Sequence, residues 1–296
     1  MNDALKIRTL AVPPRLDPGF RPAVLHNRAF EKAVADSGGG QPLGLALEQA
    51  DGSVSSLHRA IFKDSHPLAS ENLYYIERLS KFLLWSRGGM RIHIAGSPSI
   101  ARALRNYYAT VSAGRFDAQM MGERIYEKPF EIVETSILPS EKSASMPLGR
   151  HLNGCRIGFD LGGSDRKVAA IIDGTCVFSE ETIWDPVRQS DPEYHFSGIM
   201  GSLRAAAAHL PRVDAIGGSA AGVYVNNRAK LASLFRGIPS DLFNSRVKDL
   251  FFEIKRAWNN IPFEIANDGE VTALAGSMSL GKNNVLGVAL GTSTAG

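Results

Sequence analysis

Three short segments of this sequence combine carboxylate, glycine and hydroxyl side chains in patterns that suit phosphate chemistry. The first is Asp160-Leu161-Gly162-Gly163-Ser164. Glycines let a backbone approach an anion, and the amides of a tight turn point at its oxygens. A carboxylate beside such a turn can order a divalent ion, commonly Mg²⁺ through its water shell. The second is Asn267-Asp268-Gly269-Glu270, where Asp268 could take the proton of an alcohol as that alcohol attacks phosphorus. The third is the run of small and hydroxylated residues Leu290-Gly291-Thr292-Ser293-Thr294-Ala295-Gly296, able to cradle terminal phosphates. Taken singly, each has an ordinary alternative: a Gly-rich hairpin turn, a helix cap, and a surface turn.

The elements around these segments make the combination more telling. Short apolar runs at Arg156–Asp160, Lys167–Asp173 and Thr175–Ser179, the last two joined by Asp173-Gly174, predict a meander of three strands. A helix over roughly Tyr194–Leu210 follows, then a strand Val213–Gly217 leading into Gly218–Gly222. Phe243, Val247, Leu250, Phe251, Ile254 and Trp258 recur at helical spacing and predict one amphipathic helix. Pro262–Ala266 reads as a strand, Glu270–Leu280 as a helix stopped by Gly281, and Val285–Leu290 as a last strand. The order β-β-β-α-β-α-β-α-β predicts a mixed sheet flanked by helices, with all three segments at strand ends, where ligands of open α/β sheets gather.

The first half of the chain reads as a further α/β unit. Residues 1–40, broken by Pro13, Pro14, Pro18, Pro22 and Gly38-Gly39-Gly40, are expected to be irregular. A hairpin follows around Asp51-Gly52, then a helix capped by Ser70 and ended by Gly88-Gly89, a strand Arg91–Ala95 and a helix from Ser97-Pro98 to Tyr108. The Ser-, Lys- and Pro-rich stretch 139–152 is the expected linker, dividing residues 1–150 from 151–296.

Composition excludes several classes. The 296 residues are 44% hydrophobic and 21% charged, with a formal charge of +3 and no basic run, so nucleic-acid binding finds no support. No stretch of about 18 apolar residues occurs, so no membrane helix is expected. Two cysteines, Cys155 and Cys176, are too few for a disulfide framework and read as buried strand residues. A reducing cytoplasm fits this reading. His151 and His195 are isolated and read as surface or loop residues, and Trp184-Asp185-Pro186 as a turn with a packed indole.

Residues 155–296 resemble the ROK (repressor, open reading frame, kinase) sugar kinases, within the superfamily of actin, sugar kinases and heat-shock ATPases. Asp160–Ser164 resembles that family's D-I-G-G-T, Ser219–Asn226 its G-x-P-G-x-V-D, Asn267–Gly276 its N-D-A-N-A-A-A-L-G-E, and Gly291–Gly296 its G-T-G-x-G-G. The resemblance implies an actin-like ATPase (ribonuclease H-like) domain, with 151–283 as its first lobe and 284–296 as the start of a second. It implies ATP and Mg²⁺ as cofactors and transfer of the γ-phosphate to a sugar hydroxyl. Asp160 would order the metal through water, with Gly162, Gly163 and Ser164 around the phosphates. Asp268 would be the base. Asn267, Gly222, Asn226 and Glu270 would face the sugar, and Gly291 and Thr292 would meet the terminal phosphates. Its partner would be a small sugar, and a homo-oligomer is compatible with it.

The sequence departs from the family at Ala221, which replaces proline, at Glu270, which replaces asparagine, and at Ser293 and Ala295, which replace glycines. The family's Glu-x-Gly-His sugar clamp, Cys-rich zinc motif and adenosine pocket find no match in these residues. The chain alone is therefore expected to be nearly inactive, with its last apolar strand poorly covered. Two alternatives stay open: a non-catalytic sugar-sensing regulator, and an ATPase of the same fold without a sugar substrate.

Overall fold

The computed structural model describes residues 5, 7, 8, 10–143, 148–290, 294 and 295. They form two compact units, Met1–Ser145 and Met146–Gly296.

In the first unit, the start of the chain is not irregular throughout. It contains α1 (Ala23–Asp36), whose buried His26, Phe30 and Val34 recur every four residues. Pro22 stands at the N-cap and Gly38, with φ 83°, just beyond the last turn, so the breakers flank this helix rather than interrupt it. Next come β1 (Gln41–Glu48) and β2 (Val54–Ile61), an antiparallel hairpin around Asp51-Gly52. After α2 (Glu71–Arg87), closed by Gly88 at φ 71°, follow β3 (Arg91–Ala95) and α3 (Pro98–Thr110), the latter capped by the Ser97 hydroxyl. Then α4 (Ser112–Ala118) widens into a π-helical stretch, Gln119–Tyr126, before β4 (Glu131–Thr135). The sheet order is β2-β1-β3-β4, with β4 parallel to β3. Five consecutive residues of β1 are buried, as happens when both faces of a strand are covered. One buried charge in this unit, Asp117, is held by Lys81 Nζ at 2.9 Å and by the Trp85 indole at 3.0 Å.

The second unit opens with the expected meander of β5 (Cys155–Leu161), β6 (Asp165–Ile172) and β7 (Thr175–Ile183). It continues through α5 (Pro192–Ala207) and β8 (Ala215–Ala220) to a hairpin that sequence reading passed over, β9 (Val223–Val225) and β10 (Arg228–Leu231). The predicted long amphipathic helix is divided into α6 (Ser240–Leu242), a π-helical stretch Phe243–Val247, and α7 (Leu250–Ala257). The division lets the Lys248 carbonyl accept from Ala229 N at 3.2 Å and places Asp249 2.8 Å from Arg228, tying the helix to β10. Then come β11 (Phe263–Asn267) and α8 (Asp268–Leu280).

The five-stranded sheet has the order β11-β8-β5-β6-β7, with β5, β8 and β11 mutually parallel and β6 and β7 antiparallel. This is the mixed sheet with flanking helices that the order of elements in the sequence predicts. Its core joins Ile157, Phe159 and Leu161 of β5 to Leu203 of α5, Phe251 and Ile254 of α7, and Ile265 of β11.

Three further expectations are corrected. Val285–Leu290 does not form one strand: only β12 (Ala289–Leu290) pairs, with β13 (Thr294–Ala295). Cys155 is buried as expected, but Cys176 is exposed on β7, which carries mostly exposed side chains. His195 is not a surface residue; it is wholly buried.

Candidate functional site

The parallel register aligns the strand ends. Asp160 of β5 stands opposite Ser219 of β8, and Ala220 of β8 opposite Asn267, the last residue of β11. The chain then turns directly into α8 with Asp268. Two carboxylates 108 positions apart in sequence thereby reach the same carboxyl edge, as ligand-binding α/β sheets require. Both line one cavity of about 680 Å³.

The glycine turn between β5 and β6 forms one wall. Gly162 N donates to Asp165 O at 2.9 Å, and a Cβ at Gly162 would lie 3.0 Å from that oxygen. Trp184, buried at the end of β7, locks the turn from behind: its indole N–H donates to the Gly162 carbonyl at 2.9 Å and its backbone N–H to Ser164 O at 3.1 Å. Asp165 accepts from the Ser164 hydroxyl at 2.9 Å and pairs with Lys167. The Lys167 ammonium, then the Ser164 hydroxyl, hold the Asp165 carboxyl below its usual range, and Asp165 in turn raises the Lys167 amine. On the floor, Asp160 accepts a short hydrogen bond from the Ser219 hydroxyl through one oxygen. Its other oxygen has no hydrogen-bond partner among the described residues.

The start of α8 forms a second wall. Asn267 and Glu270 make a capping box: Asn267 Oδ1 accepts from Gly269 N at 2.8 Å, and Glu270 accepts from Asn267 N at 3.1 Å. Asp268 is half-buried, with one oxygen accepting from Gly269 N at 3.1 Å. Tyr224, half-buried, donates its hydroxyl to Ala221 O at 3.3 Å; burial, then the Asp268 charge, pushes the phenol well up.

Of the site residues expected from sequence, Asp160, Gly162, Gly163, Ser164 and Asp268 meet in this cavity. The four expected sugar contacts are not among its lining. Asn267 spends both ends of its amide, since Nδ2 donates to Gly222 O at 2.7 Å. Gly222, at φ 144°, is a packing glycine, where a Cβ would fall 2.6 Å from the Ala232 Cβ. Asn226 and Asn227, at φ 51° and 62°, form the left-handed turn of the β9–β10 hairpin. Glu270 caps its helix and lines a separate, smaller cavity beside α8. Gly291 and Thr292 lie outside the described residues.

Sequence reading gave no role to Ser219, Lys167 or Arg236, although all three line the cavity, and Trp184, expected as a packed indole, is buried against the glycine turn. The alternation of β6 carried a signal for Lys167, which shares a face with Asp165 two residues earlier. Nothing in the sequence around Arg236 marked it.

The donor set fits a water-bound divalent ion. Such an ion takes one or two carboxylates and keeps much of its hydration, and Asp160 offers a free oxygen facing a glycine turn able to hold phosphate. Among the described residues, no group of three or more His, Cys, Asp or Glu side chains is arranged to hold a metal by itself. Among them, too, no helix is long and apolar enough to cross a membrane.

No family model matches this sequence, and no curated protein matches it. Solved structures that resemble the chain include the ROK hexokinase from Thermus thermophilus, at 16% identity over 42% of this chain and 37% of that one, with a TM-score of 0.32. A glucokinase from Parabacteroides distasonis matches at 17% identity over 44% and 35%, with a TM-score of 0.36. A ROK family transcriptional regulator, a homolog of the E. coli MLC protein, matches at 21% identity over 43% and 31%, with a TM-score of 0.33. The chain thus spans well under half the length of these proteins.

Proposed function

We propose that this cavity serves ATP-dependent phosphoryl transfer to a sugar hydroxyl. The observation that carries the reading is that Asp160 and Asp268, far apart in sequence, line one cavity beside a glycine turn at the carboxyl edge of the sheet. In the proposed reaction the acceptor oxygen bonds to the γ-phosphorus while the bridging β–γ oxygen bond breaks, and the hydroxyl proton passes to the free oxygen of Asp268. The amides of Gly163 and Ser164 receive phosphate oxygens, the Gly162 amide being held by the Asp165 carbonyl. Asp160, with one oxygen held by Ser219, orders a water-bound Mg²⁺, which supplies charge neutralisation when bound.

The test is to incubate the protein with ATP, Mg²⁺ and a panel of hexoses and to detect product by mass, with nucleotide binding measured in parallel. Asp268→Asn is expected to lower transfer by ~10²–10⁴-fold while nucleotide binding persists. Equal and measurable product from wild type and Asp268→Asn would falsify the role of the base, and failure of the wild type to bind ATP would remove the reading altogether.

A second reading, nucleotide hydrolysis without a sugar acceptor, is favoured by one observation: none of the four expected sugar contacts lines the cavity. Hydrolysis that no hexose accelerates would select it.

A further inference from the structure

Among the described residues, five ionisable side chains line the cavity: Asp160, Asp165, Asp268, Lys167 and Arg236. Lys167 is paired with Asp165 and lies 4.0 Å from Glu181. Arg236 has no carboxylate partner among the described residues. An arginine without a protein partner at a cavity wall offers a planar fork of donors that matches phosphate or carboxylate oxygens two at a time.

The backbone that carries Arg236 is fixed with unusual care. Leu234, Phe235 and Ile238 on either side are buried, while Arg236 itself is exposed. The buried His195 ring places Nε2 3.1 Å from both the Leu234 and the Pro186 carbonyls. Carbonyl oxygens only accept, so this nitrogen carries the proton and shares it between the two loops. Next to Arg236, Gly237 approaches the other loop so closely that a Cβ would stand 2.6 Å from Gln189 O and 2.7 Å from Val187 O. The two loops are pressed together, and Arg236 and Val187 both reach the cavity from them. A donor held on a fixed seat loses less freedom when it binds than one on an unsupported chain.

We infer that Arg236, seated by His195 and Gly237, is the anion-recognition residue of this cavity and takes a phosphoryl group of the bound ligand. The inference deepens the proposed phosphoryl-transfer reading and rests on it for the site, though not for the chemistry of transfer. Two sources would present the same group: the polyphosphate of a nucleotide, or a phosphorylated acceptor.

The experiment is calorimetric titration of the full chain with inorganic pyrophosphate, ADP and glucose 6-phosphate, with adenosine and glucose as uncharged controls. Wild type is expected to bind at least one phosphorylated probe, and Arg236→Gln to weaken it roughly 10- to 100-fold while Arg236→Lys loses less. Pyrophosphate and ADP weakening together support a nucleotide phosphate as the partner; glucose 6-phosphate weakening alone supports a phosphorylated acceptor. Unchanged affinities in Arg236→Gln overturn the inference, as does a wild type that binds none of the three. Transfer is scored separately. Arg236-dependent binding in a protein that transfers nothing upholds the inference and removes the kinase reading, whereas transfer alongside unchanged probe affinity in Arg236→Gln does the reverse.

Discussion

Replacing Gly218 with alanine sets a methyl group against the ring of Phe159, its partner across the β5–β8 ladder. The new Cβ would stand 2.0 Å from Cζ and 2.3–2.4 Å from both Cε atoms. Ordinary contact begins near 3.4 Å, so ring or strand must yield by about 1.4 Å. The ring has little room to do so, because it is buried and packs on Phe263 at a centroid distance of 6.0 Å. Overpacking of this kind costs about 1–3 kcal/mol. The strain also reaches the site, since Phe159 precedes Asp160 and Gly218 precedes Ser219, the pair joined by the short hydrogen bond on the cavity floor. Urea unfolding in a Trp85→Phe background, followed by Trp184 and Trp258 fluorescence, reads the second unit. Gly218→Ala is expected to lower its midpoint, and adding Phe159→Leu to recover part of the loss, giving a coupling energy of about 1 kcal/mol or more in the double-mutant cycle. A Gly218→Ala protein as stable as wild type, or a double mutant whose losses simply add, refutes the packing argument.

Three further outcomes are expected. Trp184→Phe removes the donor to the Gly162 carbonyl and should cost about 1 kcal/mol, with faster amide exchange in residues 162–165; unchanged exchange there contradicts the lock. Asn227→Ala deletes the bonds that reach Phe263 O, Glu264 and Ile265 N, and puts a Cβ residue without a polar side chain at φ 62°, so a loss of about 2 kcal/mol in unfolding free energy is expected. In the first unit, hydrogen bonding by His93, then Arg91, holds the Glu48 carboxyl below its ordinary value of 4.5, despite partial burial. Its folded pKa is depressed, so this contribution is present above about pH 4.5 and is lost as pH falls through the lower folded value. Thermal melts in acid should show a shallower decline for Glu48→Gln than for wild type; parallel declines count against the pairing.

How much of this was legible in sequence depends on where each signal came from. The meander, β8, β11 and α8 announce themselves because short apolar runs end at Asp-Gly, Gly-Gly or Asn-Asp pairs, and local chemistry alone sets those boundaries. Asp160 and Asp268 were legible for the same reason, each standing at such an end. Asn226 and Asn227 illustrate the opposite case. Two consecutive asparagines are a hairpin signal, but they lie in a segment whose resemblance suggested a ligand contact, and the turn geometry was overlooked. The amphipathic stretch from Phe243 to Trp258 satisfies a helical period throughout. Its division at Lys248 and Asp249 follows from pairing with β10, a tertiary demand that no local pattern records. Arg236 could not be singled out either, because its place depends on loops fixed by a buried histidine 41 positions earlier.

The Asn267 amide grips the Gly222 carbonyl with one end and the first turn of α8 with the other, across 45 positions of chain. It works as a tie-rod between the foot of the β9–β10 hairpin and the helix that aims Asp268. A shift of the hairpin therefore pulls on that helix start, and the bearing of the carboxylate is governed by a residue that never enters the cavity.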